Sequence, residues 1–292
     1  MHAIRNPIEV TADAFRAFGH DIIAAAQAIR GEKIESAGHA IQVQKITVDD
    51  VRAALSAGLK DFSACRTDVA FIVLIYPIVG LVIAQAAADH ELLPLIFPAA
   101  SGFAILGPVA AVGLYEFSRQ RELGNDPRWS TAFRVLVSPG IGAILLLGLT
   151  LFLIFMAWLG AAFLIFSATL GPEPPVSALQ FIGDVLTTGP GWAMIVLGCG
   201  VGLVFAIIAF TISVVSFPLL IDRKVGVGAA IGTSIRVVAA NPSAMAIWAG
   251  IIAGGLILGT VPFFLGLIFV LPVLGHTSWH IYRATVAPTD EA

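Results

Sequence analysis

The sequence predicts an all-α polytopic membrane protein: six transmembrane helices in three hairpin repeats, with amphipathic elbow helices on the cytoplasmic side. Three observations carry this expectation. The 292 residues are 58% hydrophobic and 12% charged, about half the charged share of a soluble domain, and the mean hydropathy is +0.93. That much apolar surface finds its natural solvent in a bilayer. Beyond residue 67 the chain is a succession of long apolar stretches separated by short polar breaks. All 16 Lys and Arg fall on one side of the topology these stretches define.

Residues 1–67 are of mixed polarity. Within them residues 11–30 read as an amphipathic helix, with Phe15, Phe18, Ile22, Ala26 and Ile29 on one face and Arg16, His20, Asp21 and Arg30 off it. Two settings suit such a helix, a packed cytosolic extension or the membrane surface. No signal-peptide pattern is expected at the start, since the apolar stretch 22–29 is short and lacks a small-residue cleavage site behind it.

The spans follow in order. The first covers residues 69–88. The second covers 92–117, after the acidic turn Asp89-His90-Glu91. The third, 139–170, is long for a hydrocarbon core of ~30 Å, so tilt or protrusion is expected. The fourth covers 192–220. Residues 242–282 are almost unbroken apolar sequence, about 60 Å as one straight helix. Gly259-Thr260-Val261-Pro262 divides this stretch into two spans of roughly 20 residues each, joined as a tight hairpin.

Topology follows from charge. Arg119, Arg121, Arg128 and Arg134 lie between spans two and three. Arg223, Lys224 and Arg236 lie between four and five, Arg283 follows six, and the others precede span one. The opposite turns, 89–91, 171–191 and 259–262, contain no Lys or Arg. The positive-inside rule places both termini in the cytoplasm. The expected organisation is a cytoplasmic N-terminal region at 1–50, a six-helix transmembrane domain at 51–286 and a short polar tail at 287–292.

Three stretches echo one another: STAFRVLVSPGIGAILL (130–146), GTSIRVVAANPSAMAIW (232–248) and, more weakly, SAGLKDFSACRTDVAFI (56–72). Each runs from an amphipathic piece with one basic residue, through a polar or Pro break, into a span. The hairpin exits match too. GPVAAVGLYEFSR and LPVLGHTSWHIYR both hold Pro and Arg eleven apart, Pro108 to Arg119 and Pro272 to Arg283, and SFPLLIDRK is a shortened version. Three units of elbow helix plus hairpin are inferred, and sites in such folds often lie where repeats meet.

The chemistry is sparse. A formal charge of −3 gives no reason to expect nucleic acid as a partner. Cys65 and Cys199 form no CxxC pattern. There is no P-loop and no HExxH, and GVGAAIG (226–232) follows an apolar helix rather than a strand. Gly198/Gly202, Gly250/Gly254 and Gly255/Gly259 are small-xxx-small pairs that let helices approach closely. His276 and His280 share a helical face and lie about 21 and 27 Å along their helix from Pro262. The first is still at membrane depth, and ionisable groups there deserve a functional reading. With Glu116, the repeat equivalent of His280, and Asp222, at the end of span four, they are expected to form a polar or metal-binding cluster at the cytoplasmic helix ends. Imidazole suits metal or haem iron. The competing reading is structural. Tyr115, Arg119, Arg223, Trp279, Tyr282 and Arg283 are interface anchors of an aromatic and basic belt, and the histidines hold helices together.

The exits GLYEFSRQRELG, SFPLLIDRK and TSIRVVAANPSAMAIW, with the terminal GHxxWHxYR-like motif in LPVLGHTSWHIYR, resemble the predicted bacterial integral membrane proteins grouped as domain-of-unknown-function family 2189. The resemblance spans roughly residues 50–286 and implies a bacterial inner-membrane protein. It brings no activity, substrate or catalytic residue. The sequence therefore favours a non-enzymatic protein that contacts the lipid bilayer and acts through membrane-protein partners, in assembly or regulation of a complex. A small-solute transporter or channel, and a metal- or haem-binding protein using His276 and His280, are the alternatives.

Overall fold

The structure is a computed structural model that describes residues 41–64, 80, 90–125, 135, 138, 140–261 and 265–288. The amphipathic helix expected at 11–30, the first span apart from Gly80, and the basic residues Arg128 and Arg134 lie outside the described residues. Within them the secondary structure is helical, with a single β-bridge.

Helix α1 (Val48–Ala64) opens on a capping box. The Asp50 carboxylate accepts the Thr47 amide proton at 2.7 Å, while Thr47 Oγ1 accepts from the Asp50 amide at 3.4 Å. Asp49 and Asp50 also complement the positive end of the helix dipole. Its buried residues Val51, Ala54, Gly58 and Asp61 recur at helical spacing, so one face is committed to packing.

The single helix predicted over 92–117 is instead a series of short pieces. A 3₁₀ turn (His90–Leu95) leads into α2 (Ile96–Gly102), a second 3₁₀ turn (Phe103–Leu106), α3 (Gly107–Ala110) and α4 (Val112–Glu122). Pro94, Pro98 and Pro108 account for this. Each lacks an amide proton, and its ring crowds the preceding turn; tighter 3₁₀ pairing takes up the slack.

Helix α5 (Ile141–Thr169) has 29 residues, about 43 Å at 1.5 Å per residue, and so has the extra length expected of the third stretch. Ile144, Leu147, Leu151, Trp158, Ala162 and Phe166 form its buried stripe. Leu145, Leu149, Leu153 and Leu164 lie exposed on the other side. Helix α6 (Ala178–Thr187) occupies part of a segment read from sequence as a turn. It starts at Ser177, whose hydroxyl accepts the Gln180 amide proton at 3.2 Å. Helix α7 (Gly189–Ser213) begins at Thr188, whose hydroxyl caps the Gly191 amide at 3.0 Å. It breaks at Val214 and Val215 before α8 (Ser216–Asp222).

Helix α9 (Val227–Ala240) leads through Asn241 into α10 (Pro242–Thr260), and α11 (Leu267–Thr285) follows. The expected division of residues 242–282 is therefore present. Two glycines let the hairpin close: a Cβ at Gly266 would lie 2.9 Å from Gly259 Cα, and one at Gly255 would lie 3.1 Å from Val270 Cγ1. Of the other paired glycines, Gly202 sits against the Trp158 ring, whereas Gly198, Gly250 and Gly254 face open space.

Among the described residues four stretches are long and apolar enough to cross a bilayer: Leu92–Glu122, Ile141–Thr169, Gly189–Asp222 and Pro242–Thr260. Helix α11 is not among them. Its first half is apolar, but the second carries His276, Thr277, Ser278, His280 and Arg283.

The two ends of the described chain meet. The Gln44 amide donates to the Thr285 carbonyl at 2.8 Å, and the Ala287 amide donates to the Gln42 carbonyl at 3.1 Å. Buried Asn241 locks this ribbon to the α9–α10 junction. Its Oδ1 accepts from the Ile46 amide at 2.7 Å, and its Nδ2 donates to the Gln44 and Val237 carbonyls, each at 3.1 Å. Replacing it with alanine removes three side-chain hydrogen bonds to backbone groups, each contributing about 0.5–1.5 kcal/mol. Asn241→Ala is expected to lower stability by about 2 kcal/mol in denaturant titrations of the detergent-solubilised protein, and to speed proteolysis near residues 42–46.

Candidate functional site

Helix α11 packs against both α1 and α4. The approach to α1 is backbone on backbone: a Cβ at Gly58 would lie 2.7 Å from the Thr277 nitrogen and 2.9 Å from its Cα. Toward α4, Gly275 meets Leu114, and a Cβ there would lie 2.6 Å from Leu114 Cδ1. One helical turn beyond these contacts, polar side chains from all three helices converge.

Their centre is Asp61 of α1. Its Oδ2 accepts from the Ser118 hydroxyl at 2.6 Å and pairs with His280 Nε2 at 2.9 Å. Its Oδ1 accepts from Arg121 Nη1 at 2.7 Å, and the same guanidinium nitrogen reaches the Lys60 carbonyl at 3.1 Å. Ser118 also meets His276 Nδ1 at 2.8 Å. His276 is 0% exposed and Ser118 1%. Ser118 has one hydroxyl proton, and its short bond to a carboxylate uses it. His276 Nδ1 must then carry a proton and donate to Ser118 Oγ, and His280 Nε2 donates to Asp61. The result is a hydrogen-bonded chain, His276 to Ser118 to Asp61, with His280 donating from the far side. Burial works to raise the Asp61 pKa, but the hydrogen bonds from His280 and Ser118 outweigh it and hold the carboxyl below its ordinary value.

A second cluster gathers on Asp222 at the end of α8. Its Oδ2 accepts from the Tyr282 hydroxyl at 2.6 Å and from Arg283 Nη1 at 3.5 Å, and Arg119 Nε lies 3.5 Å from Oδ1. Arg223 Nε is 3.9 Å away, and the same guanidinium donates to the Ala287 carbonyl. Arg283 bridges onward to Glu122 Oε1 at 2.8 Å, and Glu122 Oε2 accepts from the Trp279 indole at 2.9 Å. Buried Glu116 accepts from Gln120 at 2.7 Å and pairs with Arg119 at 3.4 Å.

The four residues expected to share one cluster thus divide. His276 and His280 belong to the Asp61 group; Glu116 and Asp222 belong to the other, linked through Arg119. Among the described residues no three His, Cys, Asp or Glu are placed to hold a metal ion. The imidazole-to-carboxylate bond of His280 is nevertheless the kind of outer contact that orients a metal-binding histidine. Tyr115, Trp279 and Tyr282 are buried and packed inside the helix ends, with the Trp279 and Tyr282 rings 5.4 Å apart. Arg119, Arg223 and Arg283 bind Asp222 around them. Asp61, Ser118 and Arg121 escaped the sequence reading, since nothing local marks them as partners of residues far along the chain.

Residues 96–222 match the family model of predicted integral membrane proteins, DUF2189. The resemblance drawn from the hairpin exits therefore holds for this region, while the terminal GHTSWHIYR segment lies beyond the matched residues. No curated protein and no solved structure matches the chain. Family match and apolar helices together describe a helical integral membrane protein.

Three outcomes test this network. Asp61→Asn removes the charge that Arg121 and His280 face, and breaking a buried pair costs about 3–5 kcal/mol; destabilisation near the lower figure is expected by denaturant titration. Because the folded-state pKa of Asp61 is depressed, its contribution is present above the unfolded value near 4 and is lost as pH falls through the folded-state value. The wild type should lose stability on that acid limb, and Asp61→Asn should show a flatter one. Gly58→Val drives a side chain into the Thr277 backbone and should cost about 1–3 kcal/mol as an overpacking change.

Proposed function

We propose that this chain is a non-enzymatic protein of the bacterial inner membrane that acts through partner proteins in the bilayer, assembling or regulating a larger complex. The observation that carries this reading is the open small-residue stripe on α10. Gly250 and Gly254 lie one turn apart with nothing near their missing Cβ atoms, and Ile257 and Leu258 continue the exposed apolar surface. In lipid, such a stripe lets a second helix approach closely, with packing rather than water exclusion as the gain.

The proposed topology has six spans in three hairpin repeats, with amphipathic elbows and both termini cytoplasmic, divided at residues 50 and 286. Several features support it. Helix α11 folds back along α10 as a hairpin. Short amphipathic α9 precedes α10 as an elbow should. Arg119, Arg121, Arg223 and Arg283 gather in neighbouring networks, the asymmetry the positive-inside rule demands. The pairing of residues 42–44 with 285–287 brings the two ends of the described chain together, as this topology requires.

A photo-crosslinking residue at Ala246, on the same helix, tests the reading in native membranes. A discrete adduct with a second membrane protein is expected, reduced at least ten-fold by Gly254→Leu without a change in thermal unfolding. A pattern identical to that from lipid-facing Leu153 would sink it. The ion-linked alternatives draw on the His276–Ser118–Asp61–His280 network, since ionisable groups at membrane depth mark transport paths or metal sites. Metal analysis and an optical spectrum of the wild type beside His276→Ala/His280→Ala separate those cases: a stoichiometric metal or haem band lost in the variant favours the metal site, and substrate-dependent uptake into proteoliposomes favours transport.

A further inference from the structure

A cavity of about 390 Å³ lies between α5, α6, α7 and the chain around residues 93–98. Its floor is Trp158, Ala162 and Phe166, all buried, and its rim is Phe97, Ile182 and Leu186, all exposed. The indole N–H on the floor is already spent on the Pro98 carbonyl at 2.9 Å. A ligand therefore meets carbon on entry and carbon at the bottom, and a water-borne polar solute would lose its hydration with little offered in return.

Helix α6 sets the depth. Gln180, Asp184 and Thr187 fall at helical spacing on one narrow polar stripe. The rest of its circumference is apolar, with Phe181 and Val185 lining the cavity and Leu179 exposed outside. A short helix of this pattern lies in the interface with its stripe toward water and its apolar surface at the level of the acyl chains. The other walls, α5 and α7, belong to stretches long enough to cross the bilayer. A cavity so placed, with an apolar floor and an apolar mouth, opens sideways onto lipid tails. Its volume is near the low end for small-molecule pockets, about 300–1,000 Å³, which suits one chain rather than a whole lipid.

We propose that this cavity binds a single acyl chain of a phospholipid from the adjoining leaflet, with the headgroup at the level of the α6 polar stripe. The test uses full-length protein in phosphatidylcholine nanodiscs doped with a phospholipid carrying a diazirine midway along one acyl chain. After irradiation, adducts should map to the cavity residues Trp158, Ala162, Phe166, Met194 and Ile195 at least ten-fold above those at Leu145, Leu149 and Leu153, which lie exposed on the outside of α5. Gly198 lines the cavity, and a Cβ there meets nothing, so Gly198→Phe fills the space from an open position. It should abolish the cavity adducts and leave the others. As a second route that leaves residue 198 alone, alkylating exposed Cys199 with dodecylmaleimide in a Cys65→Ser background should suppress the same adducts. Uniform labelling, or cavity labelling indifferent to both blocks, would overturn the proposal. Stronger cavity labelling by a diazirine free fatty acid than by the phospholipid at equal concentration would overturn the choice of phospholipid.

Discussion

The network depends on one close approach, that of α1 to α11 where Gly58 faces the Thr277 backbone. A side chain at residue 58 would hold the two helices apart. Asp61 sits one turn further along α1, and Thr277 lies between His276 and His280. Hydrogen bonds of 2.6–2.9 Å at Asp61 Oδ2 leave little tolerance for a wider gap, since such bonds weaken steeply with poor geometry. The second approach, Gly275 against Leu114 of α4, brings Ser118 into the same small volume. Two glycines therefore position a carboxylate among donors from two other helices.

That carboxylate is buried, and its setting shows how a charge is kept there. A lone ionised group would be too costly. Asp61 has Ser118, His280 and Arg121 as donors, enough to favour the charged form despite burial. Asp222, in turn, accepts from Tyr282 and lies among three arginines. The two centres flank α11 and fasten it to α1, α4 and α8. The opposite character rules α5 and α7, where large apolar side chains face outward and the surrounding solvent supplies the stability.

Much of this architecture is legible in the residues. Apolar length marks α5, α7 and α10, and the Gly-Thr-Val-Pro break marks where α10 ends. Two histidines one turn apart on the tail of an apolar run point to the network. The parts that stay hidden do so for physical reasons. Asp61 is 57 residues from Ser118 and 219 from His280, and no local pattern encodes such pairings. Prolines fragment the second stretch although its hydropathy is continuous. Helix α6 was concealed by the proline-rich run before it, yet Ser177 and Gln180 form the S-x-x-Q start signal that could have revealed it. Glu116 and Asp222 are expected beside the imidazoles, but ion pairing with Arg119 links them to each other instead.

The pairing of chain ends has a consequence for biosynthesis. Residues 42–44 and Asp61 are made early, while their partners in α11 and at 285–287 arrive more than two hundred residues later. At a synthesis rate of about 5–20 residues per second, the wait is on the order of 10–40 s. During that time Asp61 can meet Ser118 and Arg121 of α4, but the face of α1 that packs on α11 stays uncovered. An interrupted chain lacking α11 would keep its long apolar helices but leave the Gly58 face of α1 without its packing partner.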